Sequence, residues 1–230
     1  MKTLALDIGN TRTKAALFDD EGQMSLVDRW QQACYDRAIV CASGPLPEGL
    51  PQGALVLGPD TRVPIGVSYR RSTLGPDRLA AACGAWALAE RQNCIVVDAG
   101  TCITADLVQN STYVGGAILP GIDMSLAALH NLTARLPLVS PEGVDLSATA
   151  GTTTEASITL GVVASTAGAV RALVQRYEQG CGPCQLWLTG GDALRLAEWL
   201  NDGWHPFRIV DNLVFHGLYE ITKFNEEYCI

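Results

Sequence analysis

Short apolar runs closed by polar turn residues recur along the chain and alternate with longer helical patterns. Residues 2–8 (KTLALDI) and 12–18 (RTKAALF) predict two strands joined by a turn at Gly9-Asn10-Thr11. A polar turn at 19–23 leads to a third predicted strand over 24–30. Ile39–Ala42 and Ala54–Leu57 are brief apolar runs, and the Gly- and Pro-rich stretch 43–66 reads mainly as loop. Residues 77–92 have helix composition and an acidic start. The pattern then restarts: strands at Cys94–Val97, Cys102–Val108 and Thr112–Leu119, then a helix over Pro120–Arg135 with its proline near the first turn. Loop follows over Pro137–Ala150, and a long helix runs from about Thr153 to Gln179. A strand (Gln185–Thr189), a helix (Asp192–Asn201), a strand (Phe207–Val210) and a closing helix (Asp211–Lys223) complete the chain.

The restart is an internal repeat. Leu4-Ala5-Leu6-Asp7-Ile8-Gly9-Asn10-Thr11 aligns with Ile95-Val96-Val97-Asp98-Ala99-Gly100-Thr101-Cys102 at an offset of 91 residues. Each copy is an apolar strand ending in Asp-x-Gly, then a polar turn, then a second strand. Two copies of one supersecondary unit predict an α/β fold of two similar halves, 1–92 and 93–230, with a ligand cleft between them.

Composition narrows the function. Of 230 residues, 48% are hydrophobic and 17% charged, which provides a core and excludes a disordered chain. The net charge of −8 and the lack of a basic block argue against a nucleic-acid partner. No run reaches the ~18 apolar residues of a membrane span, and Asp7 interrupts the N-terminal apolar run too early for a secretory leader. A cytoplasmic protein without membrane partners is expected, its eight cysteines being thiols.

An anionic ligand would need local donors, and the repeated turns supply them. Gly9 and Gly100 let the backbone approach a bulky anion. Asn10, Thr11, Arg12 and Thr101 offer donors to phosphate oxygens, and Asp7 and Asp98 are placed to hold a cation. One such turn alone is an ordinary hairpin; two favour phosphate binding. The chain has no G-x-x-x-x-G-K-[ST] loop and no G-x-G-x-x-G after a strand. Thr189-Gly190-Gly191-Asp192 ends a strand and opens a helix, so it suits either a flat ring against the backbone or a plain turn capped by Asp192. Asp77, beside Arg78 near a helix start, suits either a proton acceptor or an N-cap.

DIGNT (7–11), GPDR (75–78), DAGTCITAD (98–106), GGAILPG (115–121), TARLP (133–137) and TGG (189–191) together resemble the type III pantothenate kinases, in that family's order and over nearly the whole chain. The resemblance implies the actin-like ATPase/sugar kinase fold, with two RNase H-like halves. It implies ATP-dependent phosphorylation of pantothenate to 4′-phosphopantothenate, the first step towards coenzyme A, by a homodimer that needs Mg²⁺ and a monovalent cation (K⁺ or NH4⁺). Carried over by motif, Asp7, Ile8, Gly9, Asn10, Thr11, Arg12, Thr13 and Lys14 form the first phosphate loop, with Asp7 near Mg²⁺. Asp98 serves the monovalent cation, Thr101 the ATP phosphates, and Gly190 and Gly191 the adenosine. Tyr69, Gly75, Pro76, Asp77, Arg78 and Thr154 contact pantothenate, with Asp77 the general base. Thr152 and Thr153 compete with Thr154 for its role. The chain is short for the family, and the contraction falls between about residues 19 and 66, which carry none of the motifs.

Two other functions fit less of the sequence: a nucleotide-binding regulator without turnover, and a kinase of the same superfamily for another small alcohol. Cys181-Gly182-Pro183-Cys184 matches a thioredoxin-type tetrapeptide, but it follows a predicted helix and precedes a strand, so a turn is expected. The small residues of Ala156–Val170 suit either a dimer contact or a helix packed on a sheet.

Overall fold

The computed structural model describes residues 1–9, 12–144 and 147–227, the side chain of Glu227 excepted. Strands β1 (Thr3–Ile8), β2 (Thr13–Phe18), β3 (Met24–Leu26), β4 (Arg37–Ala42) and β5 (Leu55–Val56) form one sheet in the order β3-β2-β1-β4-β5. β1 pairs antiparallel with β2 and parallel with β4. Leu4, Leu6 and Ile8 of β1 are buried on one face with Ala15, Ala38 and Val40, against Val27, Trp30, Tyr35 and Leu50. The alternate residues Ala5 and Ile39 are also fully buried, so the middle of the sheet is covered on both sides, as its near-continuous apolar runs require. Helices α1 (Pro76–Leu88) and α5 (Leu213–Glu227) pack on each other and on β4, and α5 also on β1. Their backbones meet at Gly84 and Gly217: a Cβ at Gly217 would run into the carbonyl of Ala80.

The second sheet has the order β11-β10-β7-β8-β9-β6, from β6 (Gly66–Val67), β7 (Cys94–Ala99), β8 (Cys102–Gln109), β9 (Thr112–Pro120), β10 (Gln185–Thr189) and β11 (Phe207–Ile209). Helices α2 (Ile122–Asn131), α3 (Thr154–Cys181) and α4 (Ala193–Leu200) complete the chain. The chain divides into two compact units: Met1–Cys94, Leu107–Gly115 and Asn212–Ile230 in the first, Ile95–Asp106 and Gly116–Asp211 in the second. The units interleave where the sequence suggested one boundary after residue 92. The difference arises because α5 packs on α1, and because β6 pairs with the start of β9 (Gly66↔Thr112, Val67↔Tyr113).

The repeated strands match closely. β1 and β7 are both six residues long, each fully buried except for one half-buried residue at the fifth position, Asp7 in one and Asp98 in the other. Elsewhere the structure corrects details. The third strand is only Met24–Leu26, followed by a 3₁₀ turn at Trp30–Gln32. Pro120 ends β9 instead of opening α2, because the chain turns at Gly121, whose N–H donates to the Thr101 carbonyl at 3.1 Å. α1 stops at Leu88, where Glu90 and Arg91 take left-handed conformations (φ 53° and 63°).

Candidate active site

In the first unit the β1–β2 hairpin sets the geometry. Its register places Asp7 opposite Lys14 and Ile8 opposite Thr13, and the Gly9 N–H donates to the Arg12 carbonyl at 3.1 Å. Arg12 and Thr13 are exposed, Lys14 is half-buried, and Asn10 and Thr11 lie outside the described residues. The buried Ile8 ends β1, and its carbonyl accepts from the N–H groups of Ser43 (3.0 Å) and Gly44 (3.4 Å), fixing the hairpin to the segment after β4. Lys14 Nζ donates to Asn212 Oδ1 at 3.2 Å, the residue before α5.

Asp77 approaches this hairpin from α1. Gly75 is the N-cap and Pro76 the first helical residue, so Asp77 lies in the first turn and not at the N-cap. Its Oδ1 accepts from the Arg78 backbone N–H at 2.9 Å. The Asp7 carboxyl is pushed up to about 6, chiefly by burial and next by the charge of Asp77, against the opposing pull of Lys14 and Arg12. The structure therefore brings Asp7 and Asp77 into one electrostatic neighbourhood, although 70 residues separate them in sequence. Cys41, Asp7's register partner on β4, shares it; burial, Asp7 and Asp77 all keep its thiol protonated.

Two of the other residues singled out in the sequence, Tyr69 and Arg78, also meet. The Arg78 guanidinium stands 5.8 Å from the Tyr69 ring centre. Tyr69 in turn meets the buried Tyr113 edge-to-face at 5.9 Å. Sequence reasoning missed Cys41 and Tyr113. Both sit inside apolar strands: register sets Cys41 opposite Asp7, and a ring contact sets Tyr113 against Tyr69.

In the second unit the β7–β8 hairpin repeats the first. The Gly100 N–H donates to the Cys102 carbonyl at 3.0 Å, and Thr101 is exposed at the tip. The Thr189–Asp192 turn lies directly against it: the Asp192 N–H donates to the Ala99 carbonyl at 2.9 Å. Gly190 has φ +97°, and a Cβ there would meet the Ala99 carbonyl and Asp98 Oδ1. Asp98 and Gly190 are thus close neighbours, and Gly191 beside Gly190 is exposed. Asp192 makes no capping bond and instead pairs with Arg195 at 2.5 Å. Thr153 is the N-cap of α3, accepting from the Ala156 N–H at 3.2 Å. Thr152 and Thr154 line a groove of about 1230 Å³ along α2 and α3, with Met124, Leu129 and Leu132.

Paired α/β units opening on Asp-x-Gly hairpins define the actin-like ATPase and sugar kinase fold. A protein from Sinorhizobium meliloti described as a 2-dehydro-3-deoxygalactonokinase shares it (TM-score 0.59, 12% identity, 97% of this chain and 99% of that one). A conserved Campylobacter jejuni protein described as a Baf family transcriptional activator is more similar (TM-score 0.67, 26% identity, 97% and 99% covered). Residues 50–176 match the family described as type III pantothenate kinase. A Porphyromonas gingivalis type III pantothenate kinase is 35% identical over 96% of this chain and 98% of its own length. The chain belongs to the type III pantothenate kinases. Such a kinase is an ATP-dependent phosphotransferase.

Proposed function

We propose that the chain transfers the γ-phosphoryl group of ATP to the primary hydroxyl of pantothenate, giving 4′-phosphopantothenate for coenzyme A synthesis, with Asp77 as general base. The observation that carries this reading is the convergence of Asp77 on Asp7, where one carboxylate raises the pKa of the other. Asp77 takes the hydroxyl proton as that oxygen attacks phosphorus. Its hydrogen bond to the helix backbone fixes the carboxylate for that task. Arg78 and Tyr69 hold the pantothenate, with Gly75 and Pro76 shaping the approach and Thr154 supplying a further contact. Ile8, Gly9, Asn10, Thr11, Arg12, Thr13 and Lys14 cradle phosphate, as does Thr101, and Gly190 and Gly191 accept the adenosine.

Asp7 would hold Mg²⁺, which neutralises phosphate charge when bound. Among the described residues no group of three or more His, Cys, Asp or Glu could hold a metal alone. Mg²⁺ characteristically takes one or two carboxylates and completes its shell with phosphate and water. The crowding of Asp7 by Asp77 is likewise what a cation would relieve. Asp98 and the carbonyls of its hairpin are the oxygen donors for K⁺ or NH4⁺.

The protein works as a cytoplasmic homodimer, without nucleic-acid or membrane partners. The exposed Met124 and Leu132 beside α3 support a contact between copies, and the charge of −8 disfavours nucleic acid. α3 is long and apolar enough to cross a membrane, but Ile158, Val162, Val163, Val170 and Val174 are buried in the fold, which suits a core helix.

Asp77→Asn tests the assignment. Pantothenate-dependent ADP release should fall ~10²–10⁴-fold while ATP binding persists. Turnover at the wild-type rate would remove Asp77 from its role. ATP binding by the wild type, without pantothenate-dependent turnover, would favour a regulator.

A further inference from the structure

The tetrapeptide Cys181-Gly182-Pro183-Cys184 has no part in phosphoryl transfer. Cys181 is the last residue of α3, and Cys184 immediately precedes β10. Gly182, with φ +80°, reverses the chain at once, and Pro183 fixes the next φ. The two sulfurs are thereby brought to 3.4 Å from each other. Separate bonds hold the frame. The Cys184 N–H donates to Glu178 Oε1 at 2.9 Å, and the same oxygen lies 3.1 Å from His205 Nε2. Cys181 Sγ lies 3.1 Å from the Tyr177 carbonyl one turn back on α3. The pair is also asymmetric: Cys184 is 7% exposed, whereas Cys181 is half-buried and reachable from solvent.

We propose that Cys181 and Cys184 form a reversible dithiol that reacts with low-molecular-weight disulfides and closes an internal disulfide joining the end of α3 to the start of β10. The accessible Cys181 attacks first as its thiolate. The S–S bond of the small disulfide RSSR breaks, a Cys181–S–S–R bond forms, and one RS⁻ leaves and takes up the proton that Cys181 lost. Cys184, as its thiolate, then attacks Cys181 Sγ, closing the internal bond and expelling the second RS⁻, which takes up the Cys184 proton. In sum, one dithiol and one RSSR give one internal disulfide and two RSH. The protein loses two electrons and the small disulfide gains them.

The setting separates this pair from oxidoreductase sites of the same sequence. Those open a helix, where free backbone N–H groups favour a thiolate. Here Cys181 closes a helix, at its carbonyl end. The dithiol therefore acts on its own chain, as a redox-responsive clasp, and not as a catalyst for other proteins.

The test is thiol mapping of the full-length reduced protein after treatment with oxidised glutathione, alkylation of remaining thiols and digestion. The expected peptide carries Cys181 and Cys184 without alkyl or glutathione groups and is lighter by the two thiol hydrogens; dithiothreitol restores alkylation of both. In Cys184→Ser, Cys181 should be trapped as a glutathione mixed disulfide. In Cys181→Ser, the buried Cys184 should carry no glutathione. The exposed Cys34 and Cys102 report that the reagent has reacted. Full alkylation of Cys181 and Cys184 when Cys34 is modified would overturn the proposal, as would a stable glutathione adduct on wild-type Cys181. The wild-type map decides alone if a variant fails to fold.

Discussion

Asp7 carries a cost in stability when it is charged. Its carboxyl, ordinarily near 3.8, is raised to about 6, first by burial and then by Asp77. Between these values the folded chain keeps a proton that the unfolded chain has lost. Stability contributed by this group therefore falls as pH rises from about 4 to about 6, and the penalty stands in full above that. Asp7→Asn should raise the melting temperature by several degrees at pH 8, for a gain of roughly 1–3 kcal/mol, and by nothing near pH 4, while abolishing turnover. Scanning fluorimetry at both pH values checks the sign; a variant less stable at pH 8 would contradict it. Asp7 and Asp98 were legible in the sequence because each is a lone acid ending an apolar strand. Cys41 and Tyr113 were not, because their relevance depends on a strand pairing and on a ring contact.

The repeated hairpin was the most legible feature at the scale of elements. Strand periodicity, a terminal Asp and a turn glycine are all local signals, and the two copies share strand length and burial. What surrounds them was less legible. Pro120 looked like a helix start because local sequence cannot show that Gly121 bonds back to Thr101. The family resemblance puts Gly190 in a candidate adenosine turn, and the structure adds its close approach to Asp98 and Ala99 at the end of β7. Gly190→Ala combines a strained φ with a collision against Ala99 and Asp98. It should cost about 2 kcal/mol or more and weaken ATP binding, readable by denaturant titration and calorimetry. Gly217→Ala should destabilise by a similar amount through the α1–α5 crossing, with no specific loss of ATP affinity once folded. Equal effects of the two on ATP binding would contradict the separate roles given to the two glycines.

For the whole molecule, a repeat in the sequence implied two halves but not their limits. The last helix returns to the first unit, and α1 accepts it because both backbones carry glycine at the crossing. That pairing joins residues more than 120 positions apart, which no local pattern encodes. Charge tells a similar story: a net −8 offers no general attraction to ATP, and the proposed function therefore assigns its affinity to the hairpins and to cations. The central claim is tested most directly by ADP release from ATP and Mg²⁺, with and without pantothenate, in K⁺, NH4⁺ and Na⁺ buffers. Release that requires pantothenate, and is supported by K⁺ or NH4⁺ over Na⁺, is the predicted result. ATP bound but no pantothenate-dependent release in any buffer would contradict it.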